Sequence, residues 1–113
     1  MRTTRVLAGI VVDDIEGASR WYGELLGRDA DRVPMPSCHE WDLDADVTVQ
    51  VHQNPGVTAG NSSIALVVEH LEQALTDAGR ERFGEVSTVS GFVRTATASD
   101  PEGNQVTLVE PLR

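Results

Sequence analysis

Apolar and polar positions follow two periods along this chain, and the order in which the periods appear is repeated. Arg5 to Val12 is a run of small and branched apolar residues that predicts a buried strand. Asp13 or Asp14 can cap a helix after it, on which Ala18, Trp21, Tyr22 and Leu25 form one apolar stripe at spacings of three and four. Gly27 is suited to end that helix, because it accepts the left-handed conformation past a last turn. Arg28 to Val33 predicts a short strand before Pro34 and Pro36. His39 to Leu43 and Val47 to His52 predict a hairpin turned by Asp44-Ala45-Asp46. Val47, Val49 and Val51 then share one face, and Thr48, Gln50 and His52 the other.

The second half repeats this order. Ser62 to Val68 predicts a strand, Leu71, Ala74, Leu75 and Ala78 a helical stripe ending at Gly79, and Glu85 to Val89 and Phe92 to Ala98 two strands around Ser90-Gly91. Asp100-Pro101-Glu102-Gly103 is a turn signal before a last strand, Gln105 to Glu110. Val11-Val12-Asp13-Asp14-Ile15-Glu16 corresponds to Val67-Val68-Glu69-His70-Leu71-Glu72, about half the chain away. One unit written twice sets the fold. The expectation is a single α+β domain over 1–113, with module one at 1–54, a Pro- and Gly-containing joint at 55–61 and module two at 62–113. Each module is βαβββ, and its curved mixed sheet carries a helix on one face only. The other face must be buried or must hold a ligand, so two modules side by side, or two chains, enclose a cleft.

Charge and cysteine content narrow the function classes. The net charge is −9, and all nine bases are Arg. An acidic chain without a basic cluster argues against nucleic acid and anionic membranes as partners. Cys38 is the one cysteine, which fits a reducing compartment; with no apolar span and no signal-peptide core, the expected location is cytoplasmic.

Three stretches resemble the vicinal oxygen chelate superfamily, which includes glyoxalase I, bleomycin-resistance proteins, extradiol dioxygenases and fosfomycin-resistance proteins. They are the run from Asp14-Ile15-Glu16 through Trp21-Tyr22 to Leu25-Leu26-Gly27, Glu40-Trp41 followed by Val49-Gln50-Val51, and Asp100-Pro101-Glu102-Gly103-Asn104. The resemblance implies paired βαβββ modules and a homodimer. Metal enzymes of the superfamily carry His or Glu at four inward strand positions, and those positions fall here on Leu7, Gln50, Ser63 and Thr107. None is a good ligand for a transition ion, and Leu7 has no lone pair to offer. This departure from the superfamily's pattern makes the expectation no metal and no other cofactor.

The remaining candidates divide by face. His52 shares a face with Gln50 and is a candidate general base, with Glu110 as a partner carboxylate. His39 and His52 sit across the hairpin, where a metal pair would need a third ligand. His70 starts the second helix and Cys38 has no activating neighbour. Two hairpin registers are open. Pairing Leu43 with Val47 puts Glu40 and Asp42 beside Gln50, as an acidic wall for a basic ligand; pairing Leu43 with Asp46 puts Trp41 there instead. Trp41 is the residue expected to stack on an aromatic or cationic ligand, with Trp21 and Tyr22 packing in the core.

The expected function is metal-independent binding of a small molecule, sequestering an antibiotic or metabolite. Trp41, Gln50, His52, Ser63 and Thr107 make the contacts, and Leu7, Gly9, Val11 and Ala65 form the apolar floor. The alternative is a glyoxalase-like lyase, isomerase or dioxygenase, with an atypical metal site or metal-free acid/base chemistry through His52 and Glu110.

Overall fold

The computed structural model describes residues 1–112; Arg113, the last residue expected in module two, lies outside them. Two units of the same design follow one another: β1 (Val6–Val11), α1 (Ile15–Leu26), β2 (Arg32–Met35), β3 (Cys38–Asp44) and β4 (Val47–His52), then β5 (Ser63–Val67), α2 (Leu71–Ala78), β6 (Ser87–Val89), β7 (Val93–Ser99) and β8 (Gln105–Pro111). The sheets are ordered β1-β4-β3-β2 and β5-β8-β7-β6, the same arrangement twice. In each, the first strand runs parallel to the last and the others are antiparallel.

The helices begin and end where local chemistry requires. The Asp14 carboxylate accepts from the Gly17 amide at 3.0 Å, and Gly27 closes α1 at φ 80°. α2 starts at His70, whose side chain caps nothing; instead the Glu110 carboxylate accepts from the Leu71 amide at 3.2 Å. A short 3₁₀ turn, Arg80–Arg82, follows α2 and was not anticipated. β2 also departs from expectation: it includes Pro34 and lies later than the predicted Arg28–Val33. An outer edge strand with an irregular register tolerates a residue that lacks an amide hydrogen.

The two helix-covered faces turn toward each other. Ile10, Val12, Tyr22, Trp41, Val49 and Val51 from the first unit form one buried cluster with Ala78 and Val106 from the second. A second cluster, Leu71, Leu75, Ala96 and Leu108, seats α2 on its own sheet. Burial of this apolar surface is the main force holding the units together. The uncovered face of each sheet is left outside, where Leu7 is 50% and Val67 72% exposed.

The turn after β7 fixes the seam. The Asp100 carboxylate accepts from the buried Tyr22 hydroxyl at 2.8 Å and from the Glu102 and Asn104 amides. Burial and that carboxylate both push the Tyr22 phenol well above its ordinary range, so it stays a donor. The Glu102 carboxylate accepts from the Asp13 and Asp14 amides. Asn104, fully buried, donates to the Val11 carbonyl and accepts from the Ser62 amide. Gly60 is needed opposite: a Cβ there would come within 2.4 Å of the Glu102 carbonyl oxygen.

Candidate functional site

Register decides which side chains reach the uncovered face of the first sheet. Glu40 pairs with Gln50, Trp41 with Val49 and Asp42 with Thr48, with an irregularity between Asp42 and Asp44. β4 lies against β1 so that Leu7 neighbours Thr48, Gly9 neighbours Gln50 and Val11 neighbours His52. The open face thus carries Leu7, Gly9 and Val11 on β1, Thr48, Gln50 and His52 on β4, and Cys38, Glu40 and Asp42 on β3. The second open face carries Ser63, Ala65 and Val67 on β5, Gln105, Thr107 and Val109 on β8, and Thr95, Thr97 and Ser99 on β7.

Trp41 corrects the expectation that it contacts ligand. Its side chain is fully buried on the helix side, 6.4 Å from the Tyr22 ring centroid, and its indole N–H donates to the Arg28 carbonyl at 2.9 Å. The indole is a core element because the hairpin adopts the register that turns Glu40 and Asp42 outward. Trp21 packs edge-on against Tyr22 with centroids 4.8 Å apart, as expected for the helix stripe.

Glu110 is a second correction. It lies on the helix side of its sheet, where its carboxylate binds the first amide of α2 and the Arg94 guanidinium at 3.2 Å. It is therefore a helix cap, on the face opposite the one His52 occupies. The proposed histidine pair separates in the same way. His39 faces α1, with Nδ1 2.7 Å from the Ser19 hydroxyl, while His52 faces outward over Gly9. A Cβ at position 9 would come within 3.3 Å of His52 Nε2, so the glycine leaves room for that ring.

Ion pairs occupy the acidic groups of the open face. Glu40 accepts from Gln50 Nε2 and from Arg32, both at 2.9 Å, and these contacts lower its pKa. Asp42 is lowered by Arg32 and by the Thr48 hydroxyl, with Arg5 at 3.3 Å. The buried Cys38 thiol is raised by desolvation and by Glu40, which leaves it a poor nucleophile. The two Arg side chains were not among the residues singled out in the sequence. The signal available was the alternation of Arg and acidic residues on neighbouring strands, which has meaning only once the register is known.

The four positions that the resemblance assigned to metal ligands stay divided. Leu7 and Gln50 belong to the first open face, Ser63 and Thr107 to the second. They do not fit a transition ion: Leu7 lacks a donor atom, Gln50 offers only a neutral amide oxygen, Ser63 and Thr107 offer only neutral hydroxyls, and Thr107 Oγ1 is bonded to Thr97 at 2.9 Å. Among the described residues no cluster of three His, Cys, Asp or Glu side chains is placed to hold a metal ion.

Depressions on the surface lie mainly elsewhere. One of about 380 Å³ runs over the outer side of α1 between Ser19 and Asp29. Another, about 260 Å³, reaches the start of the second open face and is lined by Gly60, Asn61, Ser62, Ser63, Gly103 and Gln105. No described helix is long and apolar enough to cross a membrane.

The fold is shared with solved structures across nearly the whole chain. A glyoxalase/bleomycin resistance protein from Catenulispora acidiphila is 27% identical, with a TM-score of 0.84 over 96% of this chain and 98% of that one. An antibiotic binding protein from a Streptomyces species, TnmS3, is 21% identical with a TM-score of 0.75, covering 98% of this chain and 96% of that one. A bleomycin resistance determinant encoded on the transposon Tn5 is 15% identical with a TM-score of 0.76, covering 98% and 100%. No family profile and no curated protein sequence matches the chain. The architecture is the glyoxalase/bleomycin resistance/dioxygenase one, the vicinal oxygen chelate fold that the three sequence stretches implied.

Proposed function

We propose that this protein, built on the vicinal oxygen chelate fold, binds a small organic molecule without a metal and acts by sequestering it. The observation that carries the reading is the donor set. The positions where a chelating relative would need imidazole or carboxylate hold Leu7, Gln50, Ser63 and Thr107, on two faces that are otherwise furnished for hydrogen bonding. Gln50, His52, Ser63 and Thr107 contact the ligand and Leu7, Gly9 and Ala65 line the floor. Fold neighbours described as antibiotic binding and bleomycin resistance proteins support a binding role and make antibiotics the first class to try.

Both open faces turn outward from the shared core, so a closed cleft needs a second copy of the chain. A homodimer is part of the proposal, and an exposed Leu7 and Val67 favour it. The single cysteine suits a reducing compartment, and we place the protein in the cytoplasm. Two measurements test the reading. Sedimentation equilibrium at micromolar concentration is expected to give the mass of a dimer. A thermal-shift screen of bleomycin, other antibiotics and metabolites is expected to yield a stabilising ligand whose effect is the same with EDTA as with added divalent ions. A ligand effect abolished by EDTA, or turnover restored by a metal, would count for the enzymatic alternative.

A further inference from the structure

The two open faces differ in charge, and the difference bears on what they can hold. Among the described residues, the face of the second sheet, from Ser63 and Gln105 through Thr107 and Thr97 to Val67 and Val109, carries no charged side chain. That is unusual in a chain with 24% charged residues, since an exposed sheet face is where charges normally collect. It also carries no Phe, Tyr or Trp. The hollow of about 260 Å³ at its edge is lined by Gly60, Asn61, Ser62, Ser63, Gly103 and Gln105, and it is uncharged as well. Ser62 spends its hydroxyl on the Val11 amide, but the side chains of Asn61, Ser63 and Gln105 make no hydrogen bond to any described residue. They are a set of free donors and acceptors at one place.

In the proposed dimer the first sheet would supply the opposing wall, and it adds no net charge. On the first sheet Glu40 and Asp42 are matched by Arg32 and Arg5, so a cationic ligand would have to displace a guanidinium to reach either carboxylate. An ion transferred from water to either face would lose hydration with no free counter-charge to replace it, which costs more than such a contact returns. With Trp41 in the core, no indole is available on either face to stack an aromatic group or a cation.

We propose that the ligand is an uncharged aliphatic molecule rich in hydroxyl or amide groups, a sugar or comparable polyol, and that Asn61, Ser63 and Gln105 are its specificity-determining contacts. This rests on the small-molecule reading above and narrows it. The hollow is an open depression of about 260 Å³, comparable in size to one sugar ring, and its free hydroxyl and amide groups are of the kinds that hydrogen-bond to hydroxyls.

The test is an amide-resonance titration of the protein with methyl glucoside and N-acetylglucosamine, and in parallel with spermine and bleomycin. The expected result is saturable shifts at Asn61, Ser63 and Gln105 with the two neutral probes, unchanged between low and high salt, with tryptophan fluorescence unaltered. Ser63→Ala and Gln105→Ala, both on exposed side chains, should each weaken that binding by about tenfold without changing the melting temperature. Binding of spermine or bleomycin in a salt-dependent way, with the neutral probes silent, would overturn this inference and leave the small-molecule reading standing. Silence from all four probes, together with a blank antibiotic and metabolite screen, would overturn both.

Discussion

Trp41 shows how far one residue's role depends on its neighbours' register. Its composition invites a stacking role, but its parity on β3 puts it with Val49 and Val51 beneath α1. Sequence could not choose, because Asp44-Ala45-Asp46 permits two hairpin registers and the irregularity beside Asp42 settles it through packing that only the fold supplies. Trp41→Ala should cost about 3–5 kcal/mol in urea unfolding, and Trp41→Phe, which keeps most of the ring but strands the Arg28 carbonyl, about 1–2 kcal/mol. A variant that lost ligand affinity at unchanged stability would instead place the indole in the binding site. On the other side of the same strand, Glu40 and Asp42 have lowered pKa values in the fold because of Gln50, Arg32 and Thr48. Groups of that kind add stability that is present above the ordinary carboxylate range and is lost as pH falls through their folded values. Acidification from neutrality to about pH 3 should therefore lower the unfolding midpoint. Arg32→Met should shrink that drop, since it removes the partner responsible for part of both shifts.

The helices were legible to within a residue or two, because both carry clear stripes and both end at glycine. What stabilises their starts was half legible. Asp14 reads as a cap and is one, so Asp14→Ala should cost about 1 kcal/mol by thermal or urea denaturation. His70 holds the corresponding position in α2 and leaves it uncapped, and the missing acceptor comes from Glu110, far along the chain on β8. No local pattern announces a cap supplied by another strand. That is why Glu110 read as a possible catalytic carboxylate: an acidic residue near the end of an apolar strand looks reactive until its partners are known. Glu110→Gln should cost about 1 kcal/mol or somewhat more, since it weakens both the helix-end contact and the pairing with Arg94. His70→Asp should recover part of the loss by restoring a local cap. Ligand binding on the opposite face should be unchanged in both variants, as measured by the same thermal-shift screen.

At the scale of the whole molecule, the duplication and the succession of elements along the chain followed from the repeated pattern, while the order of strands within each sheet did not. The packing of one unit on the other did not, since apolar stripes say which faces are buried but not against what. The turn Asp100-Pro101-Glu102-Gly103-Asn104 read as punctuation before the last strand. In the fold it holds module one through Tyr22, Val11 and the Asp13 and Asp14 amides. The corresponding turn of the first unit, Asp44-Ala45-Asp46, is shorter, so the grip comes from one side only. Asn104 is its most consequential member, because it is fully buried and bridges β1 to the start of β5. Asn104→Ala takes the acceptor from the partly buried Ser62 amide and leaves the Val11 carbonyl with only the Gly60 amide at 3.3 Å, and should cost about 1–3 kcal/mol. Asn104→Asp should be worse at neutral pH despite its similar shape. The amide nitrogen that donates to Asp100 at 2.9 Å would become an oxygen, placing two carboxylates at hydrogen-bond distance in a buried site. Such a pair can share one proton, so the pKa of the pair rises in the fold and its penalty is relieved as pH falls. The variant should then lose stability relative to Asn104→Ala at neutral pH and regain ground as pH falls toward about 5, followed by urea midpoints across that range. Equal stability of the two variants at every pH would mean that the turn does not hold the units together in the way these contacts indicate.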